Sequence, residues 1–286
     1  MGIKKYEFTG EKKFDIRDFD TSDTGELSKE ELHSLVSDNM ALMREYQDKL
    51  YAEGKNGILI IFQAMDAAGK DGAVNHVFSG LNPQGVDVLS FKQPTSEELA
   101  HDYLWRIHKH VPQRGKIAIF NRSYYEDVLV AKVHKLYEVQ NLPDRCKDED
   151  VIHKRYGHIR DFEEYLWDNG ITVVKFFLHI SKDEQKKQFL ERIDDKSKNW
   201  KFSKSDLSER EYWEDYQKAY EKAINKTATK QCPWYVIPSD NRWFARSLVS
   251  EVIVKVMKEI DPKYPKISKE AEADLQKCRQ MLAEED

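Results

Sequence analysis

The chain has 286 residues, of which 40% are hydrophobic and 34% are charged. This length allows one elaborated α/β domain with a sizeable core, and the charged share predicts a strongly ionic surface. The 46 basic residues are outnumbered by 51 acidic residues, and the formal net charge of −5 argues against a generally basic nucleic-acid-binding protein. A local basic groove is compatible with this balance because opposite charges can segregate on a surface.

The composition also bears on the compartment. No apolar stretch approaches the roughly 20 residues that a membrane-spanning helix needs, and the N-terminus has no apolar core of a secretory signal. The three cysteines are widely spaced and form no CxxC pair, which excludes a disulfide scaffold or a cysteine zinc site and fits a reducing cytosol. We therefore expect a cytoplasmic protein with neither membrane nor nucleic-acid partners.

In chain order, the polar and irregular residues 1–27 are expected to form an N-terminal arm. Apolar residues at helical spacing predict a helix over 29–53, with Ser28 and Glu31 as its capping box. Five apolar runs then predict strands that are buried on both faces. These runs are GILIIF (57–62), VDVLSF (86–91), KIAIF (116–120), ITVVKFFL (171–178) and WYVI (234–237).

Helical patterns alternate with these strands. They are a helix marked by Leu99, Tyr103 and Ile107, and helices over 151–167, 207–224, 242–259 and 268–284. Such alternation indicates βαβ units and predicts a five-stranded, mainly parallel sheet in an α/β fold. We expect a domain at 28–262 after the arm, followed by a C-terminal helical tail at 263–286.

A phosphate-binding loop is predicted after the first strand of this sheet. The strand runs directly into MDAAGKDG (65–72), a turn of small residues that leads into a helix. In this layout backbone N–H groups and a helix N-terminus face an anion, and Lys70 reaches the transferring phosphates. The residues expected to contact these phosphates are Ala67, Ala68, Gly69, Lys70, Asp71 and Gly72.

The loop departs from the strict GxxxxGK[ST] pattern at two positions. Ala64 replaces the first glycine, and Asp71 replaces the Ser or Thr that normally ligates Mg²⁺. Asp66 adds a carboxylate inside an anion-binding loop, which is unfavourable unless it binds a metal or orients a nucleophilic oxygen. We therefore interpret Asp66 as catalytic or metal-binding, whereas Asp71 fits an ordinary first-turn helix charge equally well.

A second motif, NRSYYEDVLV, begins at Asn121 after the third predicted strand. Residues just past the carboxyl ends of parallel strands line the ligand crevice, which would bring Asn121 and Arg122 near the phosphate loop. Arg122 would clamp a phosphate, while Glu126 and Asp127 would bind Mg²⁺ or contact the acceptor. Asp127 could equally be a charge at a helix N-terminus. Lys92, after the second strand, is a candidate acceptor-phosphate contact or a solvated lysine.

Residues 192–204, RIDDKSKNWKFSK, carry a net positive charge in an acidic chain. They follow the helix after the fourth strand, where phosphotransfer kinases of this layout carry a mobile lid, and we place the lid at about 192–220. Trp200 and Phe202 are expected to be shielded from water. A basic lid over a phosphate loop suggests a highly anionic substrate, with water excluded on closure.

Three segments together resemble the type-2 polyphosphate kinase family: MDAAGKDG, FNRSYYEDVLV (120–130) and the stretch from ERIDD to WKFSKSDLSEREYWEDY (191–216). The resemblance covers roughly residues 30–260. It implies a P-loop kinase-like, three-layer sandwich similar to thymidylate kinase, with a helical lid. It also implies phosphoryl transfer from inorganic polyphosphate to adenine or guanine nucleotides with Mg²⁺ or Mn²⁺, by a homodimer or homotetramer.

The resemblance further implies roles for single residues. Asp66 would bind metal or orient the acceptor phosphate, Lys70 would bind the transferred phosphoryl group, and Asn121 and Arg122 would contact nucleotide phosphates and metal. Many family members that phosphorylate only diphosphates carry Asp where this chain has Asn121, so Asn121 with Glu126 resembles the subgroup that accepts both AMP and ADP. The residues implied to follow the polyphosphate chain are Arg192, Lys196, Lys198 and Lys201.

Two other functions fit parts of the sequence. An ATP-dependent nucleoside monophosphate kinase of the thymidylate type would share the sheet and lid, but its loop normally keeps the Gly and Ser/Thr that are missing here. The non-enzymatic alternative is a calcium-binding module, because DTSDTGELSKEE (20–31) matches an EF-hand loop in part. Asp20, Ser22, Thr24, Gly25 and Glu31 fall at loop positions 1, 3, 5, 6 and 12. Among these positions only Asp20 supplies a carboxylate before Glu31, and no paired second loop follows.

Overall fold

The computed structural model describes residues 2–147 and 150–285. Within these residues one six-stranded sheet has the order β1-β6-β5-β2-β4-β3. The strands are β1 (Glu7–Phe8), β2 (Gly57–Ala64), β3 (Val86–Ser90), β4 (Ile117–Asn121), β5 (Ile171–His179) and β6 (Trp234–Pro238). Every neighbouring pair is parallel except β1 with β6. The predicted α/β fold with a mainly parallel sheet is therefore confirmed.

All five strands predicted from apolar runs are present, but their burial differs. Every residue of β2 is buried, as expected for a central strand covered on both faces. The edge strand β3 is half-exposed, and Val88 keeps 56% of its surface accessible. The expectation of burial on both faces was wrong for β3 because it has a neighbour on one side only.

The prediction of five strands was wrong by one, since β1 lies in the segment expected to be an arm. Its Glu7 pairs with Tyr235 of β6 in antiparallel register. In the same segment Tyr6, Phe14 and Ile16 are buried in the core. A strand of two residues is too short to show a periodic sequence pattern, so only its pairing reveals it. The N-terminal segment thus covers the edge of the sheet.

The described residues form eleven α-helices, most of them between the strands. They are α1 (Lys29–Glu53), α2 (Lys70–Phe78), α3 (Ser96–Leu99), α4 (Trp105–His108), α5 (Val130–Val133), α6 (Val151–Asp168), α7 (Lys182–Asp194), α8 (Lys204–Glu209), α9 (Trp213–Thr227), α10 (Arg242–Ile260) and α11 (Lys269–Ala283). Helix α1 begins at the predicted capping box, in which Ser28 and Glu31 exchange side chain–backbone hydrogen bonds. No helix in the described residues is long and apolar enough to cross a membrane.

Two predicted helices are interrupted. The helix marked by Leu99, Tyr103 and Ile107 is instead the short pair α3 and α4. Between them the Asp102 carboxylate accepts a hydrogen bond from the Leu104 amide at 2.9 Å, a local bond that competes with helix continuation. The pattern over 207–224 is divided into α8 and α9 by a 3₁₀ turn at Arg210–Tyr212.

The helices pack in two groups around the sheet. Helices α1, α2 and α10 contact one another, and α6 and α9 contact one another, while α2, α10 and α6 also contact strands. The parallel register places Asn121 beside Phe62 of β2 and Ser90 of β3. Three strands therefore deliver their following loops to the same edge of the sheet, where the predicted site residues lie.

Candidate active site

A cleft of about 620 Å³ lies at this edge of the sheet. Its walls are the loop between β2 and α2, the ends of β3 and β4, the end of α7 with the lid, and the start of α10. Eight basic and four acidic side chains line it, although the whole chain has a net charge of −5. The charges have therefore segregated, and the cleft is suited to an anionic ligand.

The floor of the cleft is the predicted phosphate loop. Ala67 and Gly69 have positive φ angles of 64° and 97°. Left-handed residues of this kind turn backbone N–H groups into a concavity that binds anions. Gly69 is also the residue that precedes α2, so the positive end of that helix dipole faces the same space.

Lys70 is buried at the first position of α2. Its Nζ donates hydrogen bonds to the carbonyl oxygens of Ala64 at 2.8 Å and Met65 at 3.3 Å. Burial lowers its pKa from 10.5 to about 8, and the nearby Asp66 carboxylate partly offsets this effect. The ammonium group is thus held against the loop by two carbonyl groups.

Two polar pairs connect the phosphate loop to the end of β4. Arg122 Nη2 lies 3.0 Å from Asp66 Oδ1, and Asn121 Nδ2 donates to Asp71 Oδ1 at 2.7 Å. Arg122 has a positive φ of 65°, which is an unusual conformation for a residue with a Cβ. Asn121 and Arg122 therefore lie near the phosphate loop, as predicted, and each contacts one of its carboxylates.

Glu126 and Asp127, which follow in the same motif, are in different environments. Glu126 lies near Arg122 and Lys70, whose charges oppose the rise in its pKa that burial causes. The Asp127 backbone oxygen and carboxylate face Arg155 Nη1 at 3.0 and 3.5 Å. Burial raises the pKa of Asp127 to about 6. Neither Glu126 nor Asp127 is among the residues that line the cleft. Glu126 faces Arg122 and Lys70 from behind it, whereas the carboxylate of Asp127 is paired with Arg155.

The segment predicted to be a lid contributes to the side of the cleft formed by α7. Arg192, Lys198 and Lys201 line the cleft, whereas the exposed Lys196 does not. Asn199 donates hydrogen bonds to the Arg192 and Ile193 carbonyl oxygens at 2.8 and 2.7 Å. These bonds hold the segment predicted to be a lid against the end of α7.

The two lid aromatics differ in exposure. Phe202 packs against Phe189 with ring centroids 5.9 Å apart. Trp200 is 78% exposed, so the prediction that it is shielded from water was wrong. Its indole donates a hydrogen bond to the Ser197 carbonyl at 3.0 Å, and Lys201 Nζ lies 5.0 Å from its ring. These contacts hold the ring at the rim of the cleft, away from the core.

Lys92 lies in the opposite wall, two residues after the end of β3. The buried Arg106 of α4 donates to the Lys92 carbonyl at 3.0 Å, lies over the Phe91 ring and approaches Glu98 at 3.6 Å. Glu98 in turn accepts a hydrogen bond from the Thr95 amide. The backbone around Lys92 is therefore fixed, while its side chain is free to face a ligand.

Comparison with known proteins assigns the family. Residues 26–265 match the family model named polyphosphate kinase 2. The chain belongs to the polyphosphate kinase 2 family. An ADP-polyphosphate phosphotransferase of Rhodopseudomonas palustris is 48% identical over 257 residues, which is 89% of each chain. An AMP/ADP-polyphosphate phosphotransferase of Meiothermus ruber is 46% identical over 92% of this chain and 96% of its own length.

A solved structure of the polyphosphate kinase 2 family has the same fold. The crystal structure of polyphosphate kinase 2 from Arthrobacter aurescens TC1 superposes on this chain with a TM-score of 0.84. The two sequences are 41% identical, and the match covers 92% of both chains. Because the superposition covers nearly the whole of both chains, the fold as well as the sequence supports the family assignment.

Sequence reasoning missed two arginines of this polyphosphate kinase 2 cleft. Arg242 and Arg246 lie one turn apart at the start of α10 and line the wall facing the phosphate loop. Arg246 Nη2 would lie 3.2 Å from a Cβ built on Gly72, and its guanidinium lies over the Trp243 ring at 4.6 Å. The sequence feature that could have identified them is a pair of arginines in the first turns of a helix that follows a parallel strand.

The carboxylate and amide oxygens of the cleft suit a hard divalent cation that keeps several coordination positions for water and substrate phosphates. No group of three or more His, Cys, Asp or Glu side chains in the described residues is arranged as a complete metal site. Asp66 and Asn121 supply a carboxylate and an amide oxygen beside the phosphate loop. Mg²⁺ is commonly bound by one or two protein oxygens together with water and substrate phosphates, so these residues fit it.

The turn considered for calcium uses its carboxylates internally. Asp20 accepts hydrogen bonds from the amide and hydroxyl of Ser22, and Asp23 pairs with Lys5 and Tyr6. These contacts fold the N-terminal segment against the core. They give the acidic residues a structural role that needs no cation.

Proposed function

We propose that this chain transfers the terminal phosphoryl group of inorganic polyphosphate to AMP or ADP, which yields ADP or ATP. The observation that carries this proposal is the cleft, which combines a phosphate loop with eight basic side chains in an acidic protein. A linear polyanion is the class of donor that such a surface attracts. The names of two relatives, which specify ADP and AMP/ADP as acceptors, support a nucleotide acceptor.

The chemistry is an in-line displacement at phosphorus. A phosphate oxygen of the acceptor attacks the terminal phosphorus of the donor, and the bond from that phosphorus to its bridging oxygen breaks. The shortened polyphosphate keeps the electron pair of that bond. Such a reaction needs positioning and charge neutralisation more than covalent catalysis. Lys70 and Arg122 would neutralise the transferring group, and Asp66 would orient the acceptor phosphate.

A divalent cation, Mg²⁺ or Mn²⁺, is part of the proposal. Asp66 and Asn121 would hold it at the edge of the phosphate loop. When bound, the ion would supply positive charge that neutralises the reacting phosphates.

The donor and the acceptor would occupy opposite walls. The donor would lie between the phosphate loop, 67–72, and the lid, where Arg192, Lys198 and Lys201 line the cleft. Arg242 and Arg246 extend this wall. The contact of Lys196 with the polyphosphate chain stays a prediction. Because this side chain lies outside the cleft, only a donor long enough to extend beyond the cleft would reach it.

The acceptor phosphates would lie between the ends of β3 and β4. There Lys92, Asn121 and Arg122 line the wall, and Glu126 lies near Arg122. We leave Asp127 out of the proposed acceptor site, because Arg155 engages both its carboxylate and its backbone oxygen.

The acceptor range, the base, the oligomeric state, the location and the domain limits are also proposals. Asn121 and the AMP/ADP-specific name of one relative at 46% identity support acceptance of both AMP and ADP. We further propose adenine as the main base with guanine as a second, a homodimer or homotetramer, and a cytoplasmic location. The catalytic domain would span 28–262, with its lid at about 192–220 and a helical tail at 263–286.

The experiment that tests the function supplies Mg²⁺, long-chain polyphosphate and AMP without ATP, followed by nucleotide chromatography. ADP followed by ATP would support the polyphosphate donor and both acceptors. ADP alone would narrow the acceptor to AMP. Absence of product, together with transfer from ATP to a monophosphate in a parallel reaction, would refute the polyphosphate donor.

A further inference from the structure

A charged pair is buried beneath the loop that follows β4, and the proposed chemistry does not use it. Glu163 of α6 and Lys175 of β5 are 1% and 0% exposed, and Lys175 Nζ lies 2.5 Å from Glu163 Oε2. Desolvation of two charges offsets much of their attraction, so such a pair is a poor device for stability alone. Its neighbours indicate another role.

Both oxygens of the Glu163 carboxylate are committed. Glu163 Oε1 accepts a hydrogen bond from the Tyr124 hydroxyl at 2.8 Å. The Tyr125 hydroxyl lies 2.8 Å from the same oxygen and 2.9 Å from Thr227 Oγ1, so these two acceptors share its one proton. Lys175 Nζ also donates to the Tyr125 hydroxyl at 3.2 Å and to the Thr227 carbonyl at 2.9 Å. Hydrogen bonds to a charged acceptor in a dry interior are among the stronger ones in proteins. The pair therefore fixes the two adjacent tyrosines.

These tyrosines lie between site residues in the chain. Arg122 is two residues before Tyr124, and Glu126 directly follows Tyr125. The left-handed backbone of Arg122, with φ of 65°, is strained for a residue with a Cβ and persists only where its surroundings impose it. On its N-terminal side the Arg122 amide donates to the Phe62 carbonyl at 3.1 Å. On its C-terminal side Ser123 accepts hydrogen bonds from Gln63 Nε2 at 3.1 Å and from the Tyr125 amide at 3.2 Å. The fixed tyrosines follow as the second anchor on this side.

We propose that Glu163 and Lys175 are positioning residues that hold Tyr124 and Tyr125, and through them Arg122, in the conformation that phosphoryl transfer needs. The proposal rests on the proposed function only where it assigns Arg122 to the reacting phosphates. Its structural part, the anchoring of the loop by a carboxylate acceptor, is independent of any substrate.

The test compares two double variants that both remove the buried charges. Glu163→Gln/Lys175→Met keeps a carbonyl acceptor for the tyrosines, whereas Glu163→Met/Lys175→Met removes it. We expect kcat to fall about 10- to 100-fold in the second variant, the range that small misplacements cost. The first should stay within about threefold of wild type, because a neutral acceptor keeps roughly half the hydrogen-bond strength. Both are assayed at a temperature at which their circular dichroism shows full folding.

A second readout needs no substrate. Hydrogen–deuterium exchange of the peptide covering 120–129 should speed up in the Glu163→Met/Lys175→Met variant and stay close to wild type in the Glu163→Gln/Lys175→Met variant. Tyr156→Phe is the matched control. Tyr156 lies on α6 and is buried, and its hydroxyl has no hydrogen-bond partner among the described residues. This change should alter neither kcat nor exchange in 120–129.

Two results would overturn the proposal: equal kcat in the two double variants, or unchanged exchange of 120–129 in the variant that lacks the acceptor. Either result would show that Glu163 and Lys175 contribute to packing and do not position the loop. If the wild type transfers no phosphoryl group from polyphosphate, the proposed function fails. The exchange measurement then decides the anchoring by itself, so the two failures are distinguishable.

Discussion

Arg122 at the end of β4 pairs with Asp66 of the phosphate loop, Nη2 to Oδ1 at 3.0 Å. The side chains are 43% and 33% exposed, respectively. An ion pair this open to water contributes at most about 1 kcal/mol to stability. Its position at the floor of a basic cleft makes it a feature of the site more than of the fold.

We therefore expect Asp66→Ala to abolish turnover while leaving the fold intact. The change removes the carboxylate that is proposed to orient the acceptor and hold the cation, and we expect the rate to fall by a factor of about 10³ or more. Thermal melting and nucleotide chromatography would be measured on the same preparation. Turnover near the wild-type level would show that Asp66 has been wrongly assigned.

The lowered pKa of Lys70 predicts that activity depends on pH. Because burial lowers its pKa to about 8, the free enzyme loses this cation as the pH rises through that value. We expect kcat/KM for polyphosphate to decline above about pH 8. Bound phosphates raise the pKa again, so kcat at saturation should decline at a higher pH. Calorimetry in buffers of different ionisation enthalpy should then detect proton uptake on donor binding, and no uptake would contradict the assignment.

The pKa of Lys70 also predicts that the free energy of unfolding depends on pH. Between its folded pKa of about 8 and its unfolded value of 10.5, the unfolded chain binds more protons than the folded one at this position. The free energy of unfolding gains a contribution that rises with pH through this window. Relative to Lys70→Met, the wild type should therefore become more stable between these two pH values. Urea unfolding at both ends measures the difference, and a constant difference would disprove the lowered pKa.

The lid lysines are expected to act on the donor. Lys198→Gln/Lys201→Gln should raise KM for long-chain polyphosphate about 10-fold or more, with a smaller change for AMP, because both lysines line the donor wall. The control Lys182→Gln/Lys186→Gln removes the same charge from exposed positions of α7 outside the cleft. Equal losses for donor and acceptor, or an equal effect of the control, would remove the lid from the donor site.

Arg246 should also matter for the donor. It lies beside Gly72 of the phosphate-loop helix, so Arg246→Gln removes a cation from the part of the donor wall that the start of α10 forms. We expect KM for polyphosphate to rise about 10-fold, with an effect that weakens at high salt. Steady-state kinetics at two ionic strengths measures this. Arg279→Gln, at an exposed position of α11, is the control for the loss of one positive charge.

The two chain ends should differ in their effect on stability. Phe14 is 1% exposed in the N-terminal segment, and Phe14→Ala should cost about 3–5 kcal/mol. Deletion of 268–286 should leave the melting temperature nearly unchanged, because no residue of α11 is buried. Denaturant unfolding of both variants tests this contrast, and a loss below about 1 kcal/mol for Phe14→Ala would place the segment outside the core.

Much of this protein could be read from local sequence. Apolar runs without alternation predict central strands, and a small-residue loop before Lys70 predicts an anion site. The carboxyl ends of parallel strands lie at one edge, so the contact of Asp66 with Arg122 follows from the topology that these runs imply. Ser28 and Glu31 likewise mark the start of α1, because a capping box involves only neighbouring backbone groups.

Only the tertiary structure decided the remaining features, because each depends on residues far apart in the chain. The strand β1 exists through its pairing with β6, and Arg242 enters the cleft because the start of α10 faces the phosphate loop. The 242–259 segment reads as a core helix from its apolar residues, which hides the arginines among them. Burial and pairing of Glu163 with Lys175 likewise arise when α6 packs against β5, since desolvation is set by surroundings that local sequence does not contain.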